Sequence, residues 1–335
     1  MRLENVVAVT GGRLLNTPSI SRFDSVALLP SKATRGSLFV AHDTDEIEEA
    51  LKNGAYGIIT DKQPVVTDDE VAWIHVKNLD AALARLLRLW LVINPRKFLF
   101  VPPVIMEFLH LLVSDHEALL LPAGTLEASE KILASKEEQI ILCDDTLFLE
   151  RIGASVMEPK KKEVDFTLVS DHLFESSFIL DGVYHERIPL AGPMRQIFKE
   201  AVGLLEAWHI RYTLSRLAHT PSFMPVFVDI FMNPVPFGSG EQVFVFCSDS
   251  LPADSFAYLN RIKWTESKLF LPTQIKFQCD IKMERFLYEN EMELLDSLHT
   301  PLKPGFYIFA GMKSDYFFDL VGTTAEKTTV TKGLF

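Results

Sequence analysis

Between residues 38 and 92 short apolar runs alternate with helical stretches, and that alternation leaves few folds open to the chain. Leu38–Ala41 is a continuous apolar run of the kind that forms a strand buried on both faces. Asp43 to Asn53 reads as a helix: Asp43 is a good cap, Glu46 follows three residues later, and Gly54 stops the run. Tyr56–Thr60 and Ala72–Val76 read as further strands, and Leu79–Val92 as a helix with Leu83, Leu86, Leu87 and Trp90 on one face, ended by Asn94-Pro95. Strand, helix, strand at this spacing predicts an α/β unit with a boundary near residue 95.

The middle of the chain is less regular. Ile140–Cys143 reads as a buried strand followed by Asp144-Asp145 and a helix through Ile152. Asp181-Gly182 between Phe174–Leu180 and Val183–Ile188 is a two-residue hairpin signal, because these residues tolerate the positive φ angles of the turn. Ile197–Trp208 carries a helical apolar face. Beyond Pro221, strands are expected at Val226–Phe231, Val243–Cys247, Leu269–Leu271 and Phe306–Phe309, with helices at Glu289–Leu298 and Asp315–Val321. The expected fold class is α/β in three domains: 1–95, 96–220 and 221–335.

The chain has 335 residues, enough for two or three domains, and a formal charge of −12. That charge argues against nucleic acid or an anionic membrane as partner, since both need clustered Lys and Arg. The basic run Lys160-Lys161-Lys162 reads as a solvated linker. Cys143, Cys247 and Cys279 are widely spaced and read as reduced, buried thiols of a cytoplasmic protein. The start carries no signal-peptide pattern, and the most apolar stretch, Phe98–Val113, is interrupted by Pro102, Pro103, Glu107 and His110, so no membrane span is expected.

Several chemistries lack their motif. No Gly-Lys dipeptide occurs, so the loop that cradles nucleotide phosphates with backbone N–H groups and a lysine is missing. Gly238-Ser239-Gly240 lacks the third glycine of a dinucleotide fingerprint. No cofactor is expected. Asp144 and Asp145, at the expected end of a strand, could hold a magnesium ion, or one of them could cap the following helix. Asp249, flanked by Ser248 and Ser250, could meet a ligand at a sheet edge or serve a turn. His116-Glu117 and His185-Glu186 have no partner at metal-ligand spacing, and the phenylalanines, including Phe223, Phe227, Phe231 and Phe237, are expected to fill cores.

Residues 31–60 carry a resemblance. Ser31-Lys32-Ala33-Thr34-Arg35-Gly36-Ser37-Leu38-Phe39-Val40-Ala41, then Ala50-Leu51-Lys52-Asn53-Gly54-Ala55-Tyr56-Gly57-Ile58-Ile59, resembles the amino-terminal domain of Mur ligases, in particular those adding the third amino acid or D-Ala-D-Ala to the peptidoglycan precursor. Phe178–Gly192 and Glu291–Gly311 are similar to later segments of the same family in the same order. The resemblance implies a three-domain architecture with a reduced central domain, and Ser31, Lys32 and Gly36 as candidate contacts to a uridine-linked muramoyl precursor.

The departures are concentrated where the family grips its substrates. Pro30 and Lys32 stand where the family has Asp and Arg, and the Gly-rich loop expected after Ala41 is missing. After Arg96-Lys97, Phe98-Leu99-Phe100-Val101-Pro102-Pro103 replaces the phosphate loop; Met194-Arg195 replaces a His-Asn pair, and Ala310-Gly311-Met312 a Lys-Gly-Ser. The resemblance with these losses implies a protein that does not use ATP and that binds a precursor or a peptidoglycan-synthesis enzyme in a regulatory or scaffolding role. The alternative is an enzyme with a reassigned acidic site at Asp144, Asp145 and Asp249.

Overall fold

The computed structural model describes residues 1–114, 116–249, 251, 258–261, 266–275, 283–298 and 300–322. The architecture is α/β, and the chain divides into two compact units: Met1–Pro102 with Ser114–Pro159, and Pro103–Val113 with the chain from Lys160 onward.

The first unit opens with helix α1 (Leu3–Thr10) and contains strands β1 (Arg13–Leu14), β2 (Ser25–Ala27), β3 (Ser37–Val40), β4 (Ala55–Thr60) and β5 (Ala72–His75). They form one sheet in the order β1-β5-β4-β3-β2, parallel except for β1. The turn after β3 is the expected capping box on Asp43 and Glu46, opening a 3₁₀ turn that runs into α2 (Ile47–Lys52). Helix α3 (Leu79–Ile93) begins where Asn78 Oδ1 accepts the Ala81 N–H at 2.7 Å, and it buries Leu83, Leu86 and Leu87 against the sheet core. A second, parallel sheet follows in the order β7-β8-β6-β9, from β6 (Lys97–Phe100), β7 (Leu119–Leu120), β8 (Ile140–Cys143) and β9 (Val156–Met157).

Three helices accompany that stretch of chain: α4 (Pro103–Leu112), α5 (Thr125–Ala134) and α6 (Thr146–Ile152). The interrupted apolar stretch is therefore a strand and a helix: Pro103 opens α4, where a missing N–H costs nothing. Helices α5 and α6 belong to the first unit and α4 to the second.

In the second unit β10 (Phe166–Asp171), β11 (Ser176–Leu180) and β12 (Val183–Ile188) form an antiparallel sheet with the expected turn at Asp181-Gly182, followed by α7 (Arg195–Ala207). Phe108 of α4 meets Phe198 of α7 edge-to-face at 5.7 Å between centroids. The last sheet contains β13 (Phe223–Val228), β14 (Gln242–Cys247), β15 (Ser267–Pro272), β16 (Glu284–Tyr288) and β17 (Gly305–Ala310), in the order β13-β14-β17-β15-β16. Only β13 runs antiparallel to its neighbour. Helix α8 (Glu291–Ser297) and the helical residues 314–322 flank it, and Phe244, Phe246, Phe309 and Phe317 pack together in its core.

The expected strand Val226–Phe231 instead ends at Val228, because Asp229 folds the chain back by accepting the N–H groups of Phe231 and Asn233 at 2.8 and 2.9 Å. Phe231 and Phe237 are 62% and 50% exposed, so they do not fill a core as expected, whereas Phe223 is buried and Phe227 half-buried. The lysine run is exposed and irregular where the second unit begins, as a solvated linker would be, and it is also tethered: Lys161 and Lys162 pair with Glu200 and Glu206 of α7 at 3.1 and 2.8 Å, and Lys160 sits over the Trp208 ring. Among the described residues no helix is long and apolar enough to cross a membrane.

Candidate functional site

Parallel β14 and β17 are neighbours, so their carboxyl ends lie side by side, with Cys247 opposite Ala310 and Cys247 also opposite Phe223 at the start of antiparallel β13. Ligands in open α/β sheets gather at such edges. The segments leaving these ends form a cleft of about 110 Å³ lined by Ser222, Ser248, Asp249, Met312, Lys313 and, from α4, Glu107. Gly311 makes the tight exit from β17. Its φ is +74°, its N–H bonds Cys247 O at 2.8 Å, and a Cβ there would lie 2.5 Å from Ile275 Cδ1.

Glu107 is fixed by Ser222, whose backbone N–H and hydroxyl donate to its two carboxylate oxygens at 3.0 and 2.9 Å. Two carboxylates, two serines and one lysine thus line the cleft, and the Ser222 hydroxyl is already committed to Glu107. The cleft's size and charge suit water or a small polar or cationic group, and they oppose a phosphate. Ser222, Lys313 and the Glu107 pairing carry no sequence signature, because residues 107 and 222 meet only through tertiary structure. The one available signal is a carboxylate inside the most apolar stretch of the chain.

Asp249 is exposed on the rim of this cleft. Asp144 and Asp145 follow β8 in the first unit. Asp145 caps α6, its Oδ1 accepting the Phe148 N–H at 2.8 Å. Burial, with the Asp144 and Asp145 charges adding to it, pushes the neighbouring Cys143 thiol up to about 11. Among the described residues no three His, Cys, Asp or Glu side chains are grouped to hold a metal ion.

Ser31 and Lys32 lie exposed on the 3₁₀ turn Pro30–Lys32, which Asn53 steadies through a 3.0 Å bond from Nδ2 to Pro30 O. Gly36 is buried at φ +88°, where a Cβ would come within 2.8 Å of Asp24 Oδ2, so its part is to let the backbone turn.

Two further polar clusters had no sequence signal. Asp171 receives Arg195 at 2.7 Å, Arg261 at 2.6 Å and the Tyr258 hydroxyl at 3.1 Å. Burial would raise its carboxyl, but the two guanidinium groups outweigh this and hold it below the usual aspartate value. At the hairpin turn, Asp181 is pushed up by its hydrogen bond with Glu206. Burial would raise Glu206 as well, but Lys162 and the bond from Asp181 bring it down.

No protein-family model matches the chain, and no curated protein does. Among solved structures the chain is similar in fold to Mur ligases. MurF from Acinetobacter baumannii is 10% identical, with 96% of this chain and 98% of that one covered at a TM-score of 0.49. The MurF ligase from Thermotoga maritima, solved in complex with ADP, is 14% identical, with 91% and 98% covered and a TM-score of 0.48. UDP-N-acetylmuramate-alanine ligase MurC from Thermotoga maritima is 10% identical, with 88% and 94% covered and a TM-score of 0.36.

Proposed function

We propose that the chain is a Mur-ligase-like protein, organised as domains 1–95, 96–220 and 221–335, that does not use ATP and that binds a uridine-linked muramoyl precursor or a wall-synthesis partner in a regulatory or scaffolding role. The observation that carries this reading is the passage from β6 to α4. There the chain reads Val101-Pro102-Pro103, with no glycine, no lysine and no N–H on two successive residues. Glu107 lies one turn further on, and its carboxylate is held in the cleft by Ser222. A triphosphate needs the opposite: several converging N–H donors and a cation.

The resemblance of residues 31–60 to the precursor-binding domain, with Ser31 and Lys32 exposed on an ordered turn, supports the binding half of the reading. It is tested by thermal melting with uridine-linked muramoyl peptides, in the wild type and in Ser31→Ala and Lys32→Ala variants. A rise in melting temperature that both variants diminish is the expected result. Absence of any shift at millimolar precursor, with a partner enzyme also failing to co-purify, would refute it.

A further inference from the structure

The first unit contains a concavity that this reading leaves unused. It has a volume of about 460 Å³, within the roughly 300–1,000 Å³ of ligand pockets. Ile47 and Leu51 of α2 form one wall, Pro64 and Val65 of the segment between β4 and β5 form the other, and Trp73 borders the floor. The floor is buried and tied: Trp73 is 1% exposed, and its indole N–H is committed to Asp68 O at 2.9 Å. Both ends of the 61–70 segment are tied, at the near end by Lys62 N–H to Thr60 Oγ1 at 3.2 Å. At the far end Asn16 Nδ2 donates to Asp69 O and Val71 O at 3.2 and 2.7 Å. Val65 nevertheless stands 79% exposed at the mouth.

The two segments that build the walls are strongly acidic. Residues 43–52 carry five acids and one lysine, and residues 61–70 carry four acids and one lysine. Asp45, Glu48, Glu49, Asp61, Asp68 and Asp69 are all exposed. Glu48 has Lys52 at 2.7 Å, which leaves most of this charge unanswered. A mainly apolar pocket with Thr44, Glu48, Gln63 and Thr67 at its edges, ringed by like charge, selects an apolar group carried on a cation, since the rim repels anions and steers cations inward. The charge extends along both ten-residue segments, well beyond the pocket, so a small amine would answer only a fraction of it.

We propose that this pocket is a docking site for a basic segment of a partner protein that inserts one aromatic side chain between α2 and the 63–67 strip. An aromatic anchor in a preformed pocket inside a charged rim is the arrangement in which one residue carries most of an interface.

The test is calorimetric titration of the full chain with the peptide Ac-Lys-Lys-Trp-Lys-Lys-amide, with Ala in place of Trp, and with Glu in place of every Lys. The tryptophan peptide binds roughly tenfold or more tightly than the alanine peptide, weakens as salt rises, and the acidic peptide does not bind. Val65→Lys changes an exposed residue and leaves folding intact, and it weakens the tryptophan peptide by about tenfold or more. Leu51→Trp, which fills the pocket, has the same effect, with its fold checked by circular dichroism. Equal binding of the tryptophan and alanine peptides, unchanged binding to Val65→Lys, or no binding at millimolar peptide would each overturn the proposal.

Discussion

Glu107 of α4 and Ser222 at the entrance to β13 are joined by two hydrogen bonds, the backbone N–H at 3.0 Å and the hydroxyl at 2.9 Å, across 115 positions of sequence. The pair fixes a carboxylate at the carboxyl edge of β14 and β17, where it shapes both the stability of the unit and the charge of the cleft. Glu107→Ala leaves a buried serine with two donors to satisfy, and it is expected to destabilise the protein by about 1–3 kcal/mol. Glu107→Gln keeps an acceptor and costs less. Urea melts at pH 7 check both variants, and an alanine variant as stable as wild type would remove the pair from the structural argument.

Asp171 gives the protein an acid-sensitive contact. Its carboxyl is held below the aspartate value of 3.8 by Arg195 and Arg261 against the opposing effect of burial. A depressed folded-state pKa contributes stability that is complete above the unfolded value, and that contribution is lost as pH falls through the folded one. Wild type should therefore lose stability below about pH 4 more steeply than Asp171→Asn, while at pH 7 the variant is less stable by about 1–3 kcal/mol. Denaturant melts between pH 3 and 7 measure both effects. Parallel pH profiles for the two proteins would show that the arginine clamp does not contribute.

Much of the framework was legible in the sequence because local signals sufficed. Leu38–Ala41, Asp43 with Glu46, and Asp181-Gly182 each contain within a few residues the pattern that forms a strand, a cap or a turn, and β3, the capping box and the β11–β12 hairpin stand there. Helices α1, α4 and α5 were not foreseen. In α4 the apolar residues are too continuous to show a helical face, and the prolines resemble a break although one of them starts the helix. The strand expected to reach Phe231 was overruled by Asp229, whose side chain supplies the turn bonds. The cleft was hardest to foresee: Glu107, Ser222, Asp249 and Lys313 come from four separate stretches, and only the order of strands in the last sheet brings their ends together.

Asp145 has a structural occupation that can be measured. Asp145→Ala removes the acceptor for the Phe148 N–H and should cost about 0.5–2 kcal/mol, and Asp145→Ser should restore most of that. Chemical denaturation of the three proteins decides this. Equal loss in the alanine and serine variants would mean that the carboxylate is needed for its charge, as a bound cation would require.

The buried thiols are expected to be inert. Burial is the main cause that raises Cys143 to about 11, and it raises Cys247 as well. Thiolate is then scarce at neutral pH, and access is closed. Cys279 lies outside the described residues, so the measurement uses a Cys279→Ser background. Ellman's reagent at pH 8 should label neither thiol in the native protein within an hour and both after denaturation. Rapid native labelling of either would contradict the burial described for β8 and β14.

The Val101-Pro102-Pro103 passage and the Glu107 carboxylate bear on one quantity, the affinity for a nucleotide triphosphate. Isothermal titration calorimetry of the full chain with ATP and magnesium measures it directly. Heat no greater than dilution at millimolar nucleotide is the expected result. Saturable binding in the micromolar range, lost on mutation within the β6–α4 passage, would mean that this chain grips ATP after all.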